Sequence, residues 1–450
     1  MWGWVFGPAR TILLKVGIWY GKKAAKAVDS ENFSSQVVTN VQSEGVRVMH
    51  NFSDEERDMV LQLYERIASW WPQDQKHGNR REDTWISLPR PYITPGGQES
   101  AFPELYYWDS YFIVRGLLAQ DYITMAKDQI ENLLDLVARF GFVPNGNRTF
   151  YLTRSQPPLL TAMVKAYYAY TKNRRWLKEA FEWLVTELAY WLQGPHVPRG
   201  TLARWFDSGD PGLSGELASE AESGWDFTAR FGGDARLWYA VDLNALVYGM
   251  MMDLSFFAQE LDQSQDVLQY RQQAKVFLDQ MNRVLWDHAL GQYRDRNFED
   301  HRFSPVSSLA SFYPLWTHAA TPSQAAMLTA HLGGFERPFG LVATDRVYPS
   351  PHPTLAFVQW GDPVVWAPLQ LITAEGLKYY GFAAYAQEIA QIYLRLVLRR
   401  YRQTGKLYEK YHGDTGTEDV PLERYPNSPF HGWTAGVFAV FAKEMLSVPA

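Results

Sequence analysis

Apolar residues recur along most of the chain at the three- and four-residue spacing of helices that bury one face. In residues 54–71, for example, this spacing places Met59, Leu63 and Ile67 on one side of a helix. No stretch shows the sustained two-residue alternation that is typical of a half-buried strand. We therefore predict an all-α fold, with helices over Asp54–Trp71, Trp108–Ala119, Tyr122–Phe140, Pro158–Thr171, Trp176–Trp191, Val241–Leu261, Ser264–Trp286, Pro305–His318, Pro322–His331, Val365–Tyr380, Ala383–Tyr401 and Trp433–Leu446.

Long connections rich in Gly, Pro, Asn and Asp separate several of these helices. They span Leu88–Pro103, Pro144–Pro157, Asp207–Gly233, Phe335–Pro363 and Lys406–Gly432. Long ordered loops frequently carry function. An even set of helices with long loops is compatible with a helical barrel. No break in composition indicates a linker, so we expect residues 1–50 to pack as an N-terminal segment on a single domain, 51–450.

The composition excludes several classes of function. The net charge of -6 comes from mixed acids and bases, which leaves no basic surface for nucleic acid. Cysteine is absent, so disulfides, thiolate catalysis and zinc–cysteine sites are excluded. The histidines show no metal-ligand spacing and no glycine-rich phosphate loop is present, so we expect neither metal nor cofactor. Aromatic residues reach 15%, which suits both core packing and contact with sugar rings.

The N-terminal stretch Met1–Lys23 is apolar and aromatic but is interrupted by Pro8, Arg10 and Lys15. It lacks the basic region, the clean apolar region and the small-residue cleavage site of a secretory signal. It is also too interrupted to span a bilayer. We therefore expect no stable membrane insertion and a cytoplasmic protein.

Two loops combine aromatic and hydrogen-bonding side chains in a way that suits a sugar. In Pro95–Tyr111, Tyr106, Trp108 and Asp109 stand at a helix start, where the carboxylate could bind hydroxyls beside an indole. The alternative is that Asp109 only stabilises the helix N-terminus. A second loop, 142–158, gathers amides and cations, the donors that recognise hydroxyls, and the alternative is an ordinary polar surface loop. Its candidates are Asn145, Arg154 and Gln156.

Two carboxylates lie in aromatic surroundings that suit acid–base chemistry. Asp226 stands between Trp225 and Phe227, and an apolar lining could keep it protonated as a general acid. A helix-capping role is the alternative. Glu409 lies near two tyrosines and is a candidate base, with an ion pair to Lys410 as the alternative. Two further segments, around Trp360 and Trp433, place indoles beside polar residues.

Taken in order, these segments resemble the trehalase family of glycoside hydrolases. The matching landmarks are PGG followed by YYWDSY, FVPNGNR, TRSQPP, ESGWDF, QWxxPxxWAPLQ, and EKY followed by GWTAG, which together cover about Leu88 to Phe441. The resemblance implies an (α/α)6 barrel, the six-hairpin toroid of glycosidases, with long active-site loops. It also implies inverting, exo-acting hydrolysis of a small α-linked glycoside, with Asp226 as the acid and Glu409 as the base. Inversion requires the two carboxyl groups to lie about 6.5–9.5 Å apart, which leaves room for a water.

The resemblance also implies a set of substrate contacts. They are Tyr106, Trp108, Asp109, Asn145, Arg154, Gln156, Trp225, Trp360, Glu423 and Trp433.

Four departures from the family pattern affect the expected substrate. Gln98 replaces the Arg-Phe that family members carry after PGG, and residues 205–223 lack the arginine expected before the acid. Gly361 interrupts the QWD triplet and displaces the acid to Asp362, and the glycine-rich stretch after the base is replaced by residues 413–425. We therefore expect a retained hexosyl subsite and an altered leaving-group side.

Several substrates and one other function class remain open. The altered leaving-group side counts against ordinary trehalose specificity and favours a smaller aglycone. Trehalose and a compatible-solute glucoside such as glucosylglycerol both remain candidates, and glucosylglycerate and mannosylglycerate are alternatives. A catalytically inactive sugar-binding protein is a further alternative, although it would not need both Asp226 and Glu409.

Overall fold

The computed structural model describes residues 51–79, 83–97, 102–200, 202–210, 212–421 and 425–447. Helices dominate this part of the chain. They are α1 (Asp54–Asp74), α2 (Tyr107–Ala119), α3 (Ile123–Phe140), α4 (Leu160–Thr171), α5 (Arg174–Trp191), α6 (Gly215–Glu222), α7 (Val241–Glu260), α8 (Ser264–Leu285), α9 (Tyr313–Trp316), α10 (Pro322–His331), α11 (Ala367–Tyr379), α12 (Ala383–Thr404) and α13 (Gly432–Leu446). Short 3₁₀ turns lie at Thr149–Tyr151, Gly194–His196, Ala235–Leu237, Leu309–Phe312 and Leu332–Gly334.

The strands in the described residues are two or three residues long and only join neighbouring loops by hydrogen bonds. They are β1 (Gln75–Lys76), β2 (Tyr92–Ile93), β3 (Trp238–Tyr239), β4 (Trp286–Asp287), β5 (Gln292–Tyr293), β6 (Arg296–Asn297), β7 (Glu336–Arg337), β8 (Gly340–Leu341), β9 (Val364–Trp366) and β10 (Lys410–His412). They pair antiparallel as β1–β2, β3–β6, β4–β5, β7–β8 and β9–β10. The last pair brings the segment after Glu409 against the segment before α11.

The long helices alternate between two concentric layers. The inner helices are α2, α4, α7, α9, α11 and α13, and each contacts the next until α13 returns to α2. Helices α1, α3, α5, α8, α10 and α12 form the outer layer. The ring is therefore closed, which confirms the predicted all-α (α/α)6 barrel.

Burial explains which helices occupy which layer. Inner helix α2 buries every residue except Arg115, whereas outer helix α3 buries one face and exposes the other. A helix that is apolar on all sides must be covered on all sides, as in the inner layer. An amphipathic helix needs cover only on its apolar face, as in the outer layer. Within the described residues, α7 is the one helix long and apolar enough to cross a membrane, but 83% of its most apolar window is buried inside the protein.

Two predicted elements differ from the structure. The helix predicted over 305–318 is wrong in its first part, since Ser308 is extended and bridges Thr344, and only the 3₁₀ turn and α9 follow. Helix α6 was not predicted, because its sequence is polar and too short to show an apolar period. Its carboxylates Glu220 and Glu222 are nonetheless buried and accept hydrogen bonds from loop N–H groups. The predicted N-terminal segment 1–50 lies outside the described residues, so that division stays a prediction.

Helices α2 and α13 approach each other closely in the barrel wall through two glycines. A Cβ atom at Gly436 would lie 2.1 Å from the Phe112 carbonyl oxygen, and one at Gly116 would lie 2.6 Å from the Gly436 Cα. Both distances are far below van der Waals contact, so a side chain at either position would force the helices apart. Since α2 begins at Tyr107 and α13 at Gly432, this contact sets the spacing of the ends that carry Trp108 and Trp433.

We expect Gly436→Ala to destabilise the protein by about 1–3 kcal/mol, the usual range for overpacking a filled interior. Gly333→Ala is the matched control, because its Cβ atom would meet only a carboxylate oxygen at 4.0 Å. Urea denaturation followed by circular dichroism measures both variants. Equal stability of the two variants would contradict the close packing of α2 and α13.

Candidate active site

A cavity of about 490 Å³ opens where the inner helices begin. Asp109 and Trp433 reach it from the first turns of α2 and α13, and Gln156 and Trp366 reach it from just before α4 and α11. Its polar lining is Asp109, Asn145, Arg154, Gln156, Asp210, Asp226 and Glu409. Its aromatic lining is Phe102, Tyr106, Trp108, Phe150, Tyr151, Phe227, Trp360, Trp366, Tyr425, Phe430 and Trp433.

Nearly all the residues that the sequence predicts for catalysis and binding meet in this cavity. The two exceptions are Trp225 and Glu423. Trp225 is fully buried and does not line the cavity, since it stacks behind Trp360 at a ring distance of 5.1 Å. Glu423 lies outside the described residues. Asp362, the displaced acid, also lies away from the cavity and forms an ion pair with Arg337 at 2.6 Å.

Asp226 lies on the loop between α6 and α7. Burial raises the pKa of its carboxyl group to about 7, and the negative charge of Glu409 adds to this effect. The loop approaches α2 so closely that a Cβ atom at Gly224 would lie 2.9 Å from the Trp108 indole. Gly224 also has a φ of +71°, which favours glycine. The close approach of the loop to α2 keeps Asp226 buried, and this burial is the main reason why its pKa lies near neutral pH.

The base of this loop is held by a buried ion cluster. The Arg230 guanidinium donates to Asp242 at 2.7 and 2.9 Å and to Asp295 at 3.0 and 2.9 Å. It also lies 4.5 Å from the ring of Trp225. Because every partner of this cation is itself buried, the backbone on either side of Asp226 has little freedom.

Glu409 immediately precedes β10 and is 4% exposed. The Tyr425 hydroxyl donates to its Oε1 at 3.1 Å, and the Lys410 ammonium lies 3.0 Å from its Oε2. That ion pair is not aligned as a hydrogen bond, and Oε2 has no hydrogen-bond partner among the described residues. The Trp433 indole fixes the backbone by donating to the Glu409 carbonyl at 2.8 Å. Glu409 therefore has one oxygen bonded to Tyr425 and a second, buried oxygen beside the Lys410 ammonium.

The side chain of Gln359 connects the backbone of Asp226 with the partners of Glu409. Its Nε2 donates to the Asp226 carbonyl and, at 3.2 Å, to the Tyr425 hydroxyl, while its Oε1 accepts from Lys410. The Trp366 indole donates to the Gln359 carbonyl at 3.0 Å. A single amide thus sets the position of the loop of Asp226 relative to the partners of Glu409.

Asp109 is a third carboxyl group in the cavity. Burial raises its pKa well above the ordinary value, and the charges of Glu409 and Asp226 add to the shift. A protonated carboxyl group both donates and accepts hydrogen bonds, as sugar hydroxyls require. This arrangement suits binding a hydroxyl more than it suits proton transfer.

The amide-rich loop supplies the opposite wall. Arg154 donates from Nε to the Asn145 side chain at 3.0 Å, and Gln156 accepts the Trp108 backbone N–H at 3.2 Å. The aromatic floor is equally fixed, since Trp360 stacks on Trp366 with ring centres 3.9 Å apart. Rigid amides beside flat indoles can hold a sugar by its hydroxyls and its ring face.

Several cavity residues were not predicted from the sequence. Tyr425, Tyr151 and Phe102 lie in or beside segments that the sequence analysis discussed, but nothing in their spacing showed their direction. Asp210 lies in the loop where an arginine is missing, and only the fold shows that it contacts Arg154.

Comparison with known proteins identifies the family. The family model "Trehalase" matches residues 22–205 and 207–445. The periplasmic trehalase of Escherichia coli O1:K1 is 30% identical over 422 residues, which is 83% of this chain and 73% of that protein. The structure resembles neutral trehalase Nth1 from Saccharomyces cerevisiae, with a TM-score of 0.68 and 25% identity over 79% of this chain and 74% of that one.

A second solved structure supports the fold alone. The GH63 mannosylglycerate hydrolase from Thermus thermophilus has a TM-score of 0.62 and 18% identity, covering 84% of this chain and 99% of that one. It shows that the same barrel occurs in another hydrolase and carries no argument about the substrate of this chain.

The predicted cytoplasmic location is contradicted by this comparison. The curated relatives at 30% identity are periplasmic trehalases. The sequence argument used only the pattern of the first residues, which is a weaker guide than similarity over most of the chain.

The match over most of the length and the convergence of the predicted motifs on one cavity lead to the same conclusion. The chain belongs to the trehalase family of glycoside hydrolases.

Proposed function

We propose that the protein hydrolyses trehalose by single displacement with inversion, with Asp226 as general acid and Glu409 as general base. One observation carries this proposal: two carboxyl groups that are far apart in sequence line the same cavity in opposite electrostatic environments. The cavity volume of about 490 Å³ lies within the range of small-molecule sites, about 300–1,000 Å³.

Asp226 suits the role of the acid because its pKa of about 7 leaves it substantially protonated near neutral pH. In the proposed step its proton passes to the glycosidic oxygen as the bond to the anomeric carbon breaks. The leaving sugar departs as a neutral alcohol. Asp226 then recovers a proton from solvent.

Glu409 suits the role of the base because it lines the cavity and the Lys410 ammonium stabilises its carboxylate. In the proposed step a water gives a proton to this carboxylate and attacks the anomeric carbon from the face opposite the leaving group, and Glu409 then releases the proton to solvent. Tyr425 and Gln359 hold the carboxylate in position, so little reorganisation is needed.

Trehalose is proposed as the substrate because the relatives named above are trehalases. A compatible-solute glucoside such as glucosylglycerol is the second candidate. It is favoured by residues 205–223, whose described part contributes Asp210, Gly212, Leu213 and Ala221 to the cavity and no arginine. By the same similarity we propose a periplasmic location.

Asp226→Asn is expected to lower kcat by about 10²- to 10⁴-fold, because an amide cannot donate the proton that the leaving group needs. Substrate affinity, measured by calorimetry, should change little. Asp58→Asn, on the exposed side of α1, is the charge-matched control and should retain full activity. Unchanged turnover in Asp226→Asn would remove this residue from its proposed role.

The dependence of kcat/KM on pH should be bell-shaped, with its alkaline limb near pH 7. The acid must carry its proton, so activity falls as pH rises through the pKa of Asp226, about 7. The base must be ionised, so activity also falls toward low pH. Initial rates between about pH 4 and about pH 9 measure both limbs. An activity that stays constant on the alkaline side contradicts the assignment of the acid.

Proton NMR of fresh product should distinguish inversion from retention. With trehalose, inversion releases one β-glucose from the attacked ring and one α-glucose as the leaving group, in equal amounts. Retention would release only α-glucose at first, through carboxyl groups only about 5–5.5 Å apart. Spectra recorded before mutarotation that contain only the α-anomer would exclude the proposed mechanism.

A further inference from the structure

The guanidinium of Arg154 is held between two aspartates at the side of the cavity. Its Nη1 donates to Asp207 at 3.2 Å and makes a closer contact with Asp210, while its Nε donates to Asn145 at 3.0 Å. The side chains of Arg154, Asp207 and Asp210 are 5%, 0% and 8% exposed. A buried cation with two buried anionic partners has no net positive charge to offer a ligand.

The two aspartates have different roles. Asp207 organises its own loop, since its Oδ1 accepts the N–H groups of Gly209 at 2.6 Å and Asp210 at 2.8 Å. It does not line the cavity. Asp210 does line it, and its Oδ1 accepts the Gly212 N–H at 2.6 Å while its Oδ2 contacts Arg154. Asp210 is therefore the aspartate that a bound ligand would meet.

The cations at the cavity already have anionic partners. Among the described residues that form the wall, Arg154 is the one cation, and Asp210 contacts it from the same wall. Lys410, behind the wall, is occupied by Glu409 and Gln359. A ligand that carries a carboxylate or a phosphate would find no unpaired cation among these residues to offset its charge.

We propose that Asp210 is a specificity-determining residue that neutralises Arg154 and thereby restricts the enzyme to uncharged leaving groups. Sugars and polyols are accepted, and aglycones bearing a carboxylate or a phosphate are rejected. This inference rests on the proposed glycosidase function and deepens it by defining the class of leaving group.

The same geometry predicts the effect of removing the charge of Asp210. With Asn at this position, Arg154 would keep Asp207 as its one anionic partner and would present a partial positive charge at the cavity wall. A carboxylate on the aglycone could then bind the guanidinium, which is well suited to bidentate contact with carboxylates. Preference between charged and neutral substrates should shift toward the charged one.

The test compares α-glucosylglycerol with α-glucosylglycerate, which differ in little but the charge of the aglycone. On the full chain, we expect kcat/KM for the neutral glycoside to exceed that for the anionic one by at least about tenfold, or about 1.4 kcal/mol. Asp210→Asn should reduce this preference by about tenfold. Asp210→Glu, which keeps the charge, and Asp279→Asn, whose side chain is 65% exposed on α8, should preserve it.

A binding measurement separates this inference from the proposed function. Calorimetry of the Asp226→Asn protein with both glycosides reports the preference without turnover. Equal affinity for the two ligands, or an unchanged ratio after Asp210→Asn, would overturn the role of Asp210. Absence of hydrolysis by the unmutated chain, together with a retained binding preference for the neutral glycoside, would overturn the proposed function and leave the binding selectivity standing.

Discussion

The repulsion between Asp226 and Glu409 inside a buried cavity is the interaction on which the rest of the site depends. The surroundings of the two carboxyl groups differ. Glu409 is in contact with the Lys410 ammonium and the Tyr425 hydroxyl. Lys410 acts only electrostatically on Asp226, where burial and the charge of Glu409 raise the pKa to about 7. Gln359 joins the two halves, so the difference is fixed in the resting protein.

The barrel holds the charged groups of the site at fixed positions. Closure of the inner ring brings together helix ends that are hundreds of residues apart, and the segments at those ends supply the residues that line the cavity. The close packing of α2 against α13 at Gly436 and the buried cation Arg230 remove freedom from the same region. Preorganised donors and acceptors cost little reorganisation when charge develops in the transition state. The helical scaffold and the proposed acid–base chemistry therefore depend on the same set of contacts.

Most helices could be predicted because an apolar period is a local property of the sequence, whereas their arrangement in two layers was implied only by the family resemblance. The period failed in the first part of 305–318. It also failed at α6, where buried Glu220 and Glu222 bind loop backbones and make the segment look like a surface loop. Most of the cavity residues were predicted from motifs that resemble those of the trehalase family. The sequence could not show which way the side chains point or which distant residues they contact. Examples are the stacking of Trp225 behind Trp360 and the contact of Asp210 with Arg154. Those contacts join segments that only the closed barrel brings together.

A crystal structure of the Asp226→Asn protein with intact trehalose would test the central claim most directly. The account predicts the glycosidic oxygen within hydrogen-bond distance of residue 226. It also predicts an ordered water between the anomeric carbon and the Glu409 carboxylate, on the opposite face of the ring. A sugar bound elsewhere, or the Glu409 carboxylate in direct contact with the anomeric carbon without room for water, would contradict it.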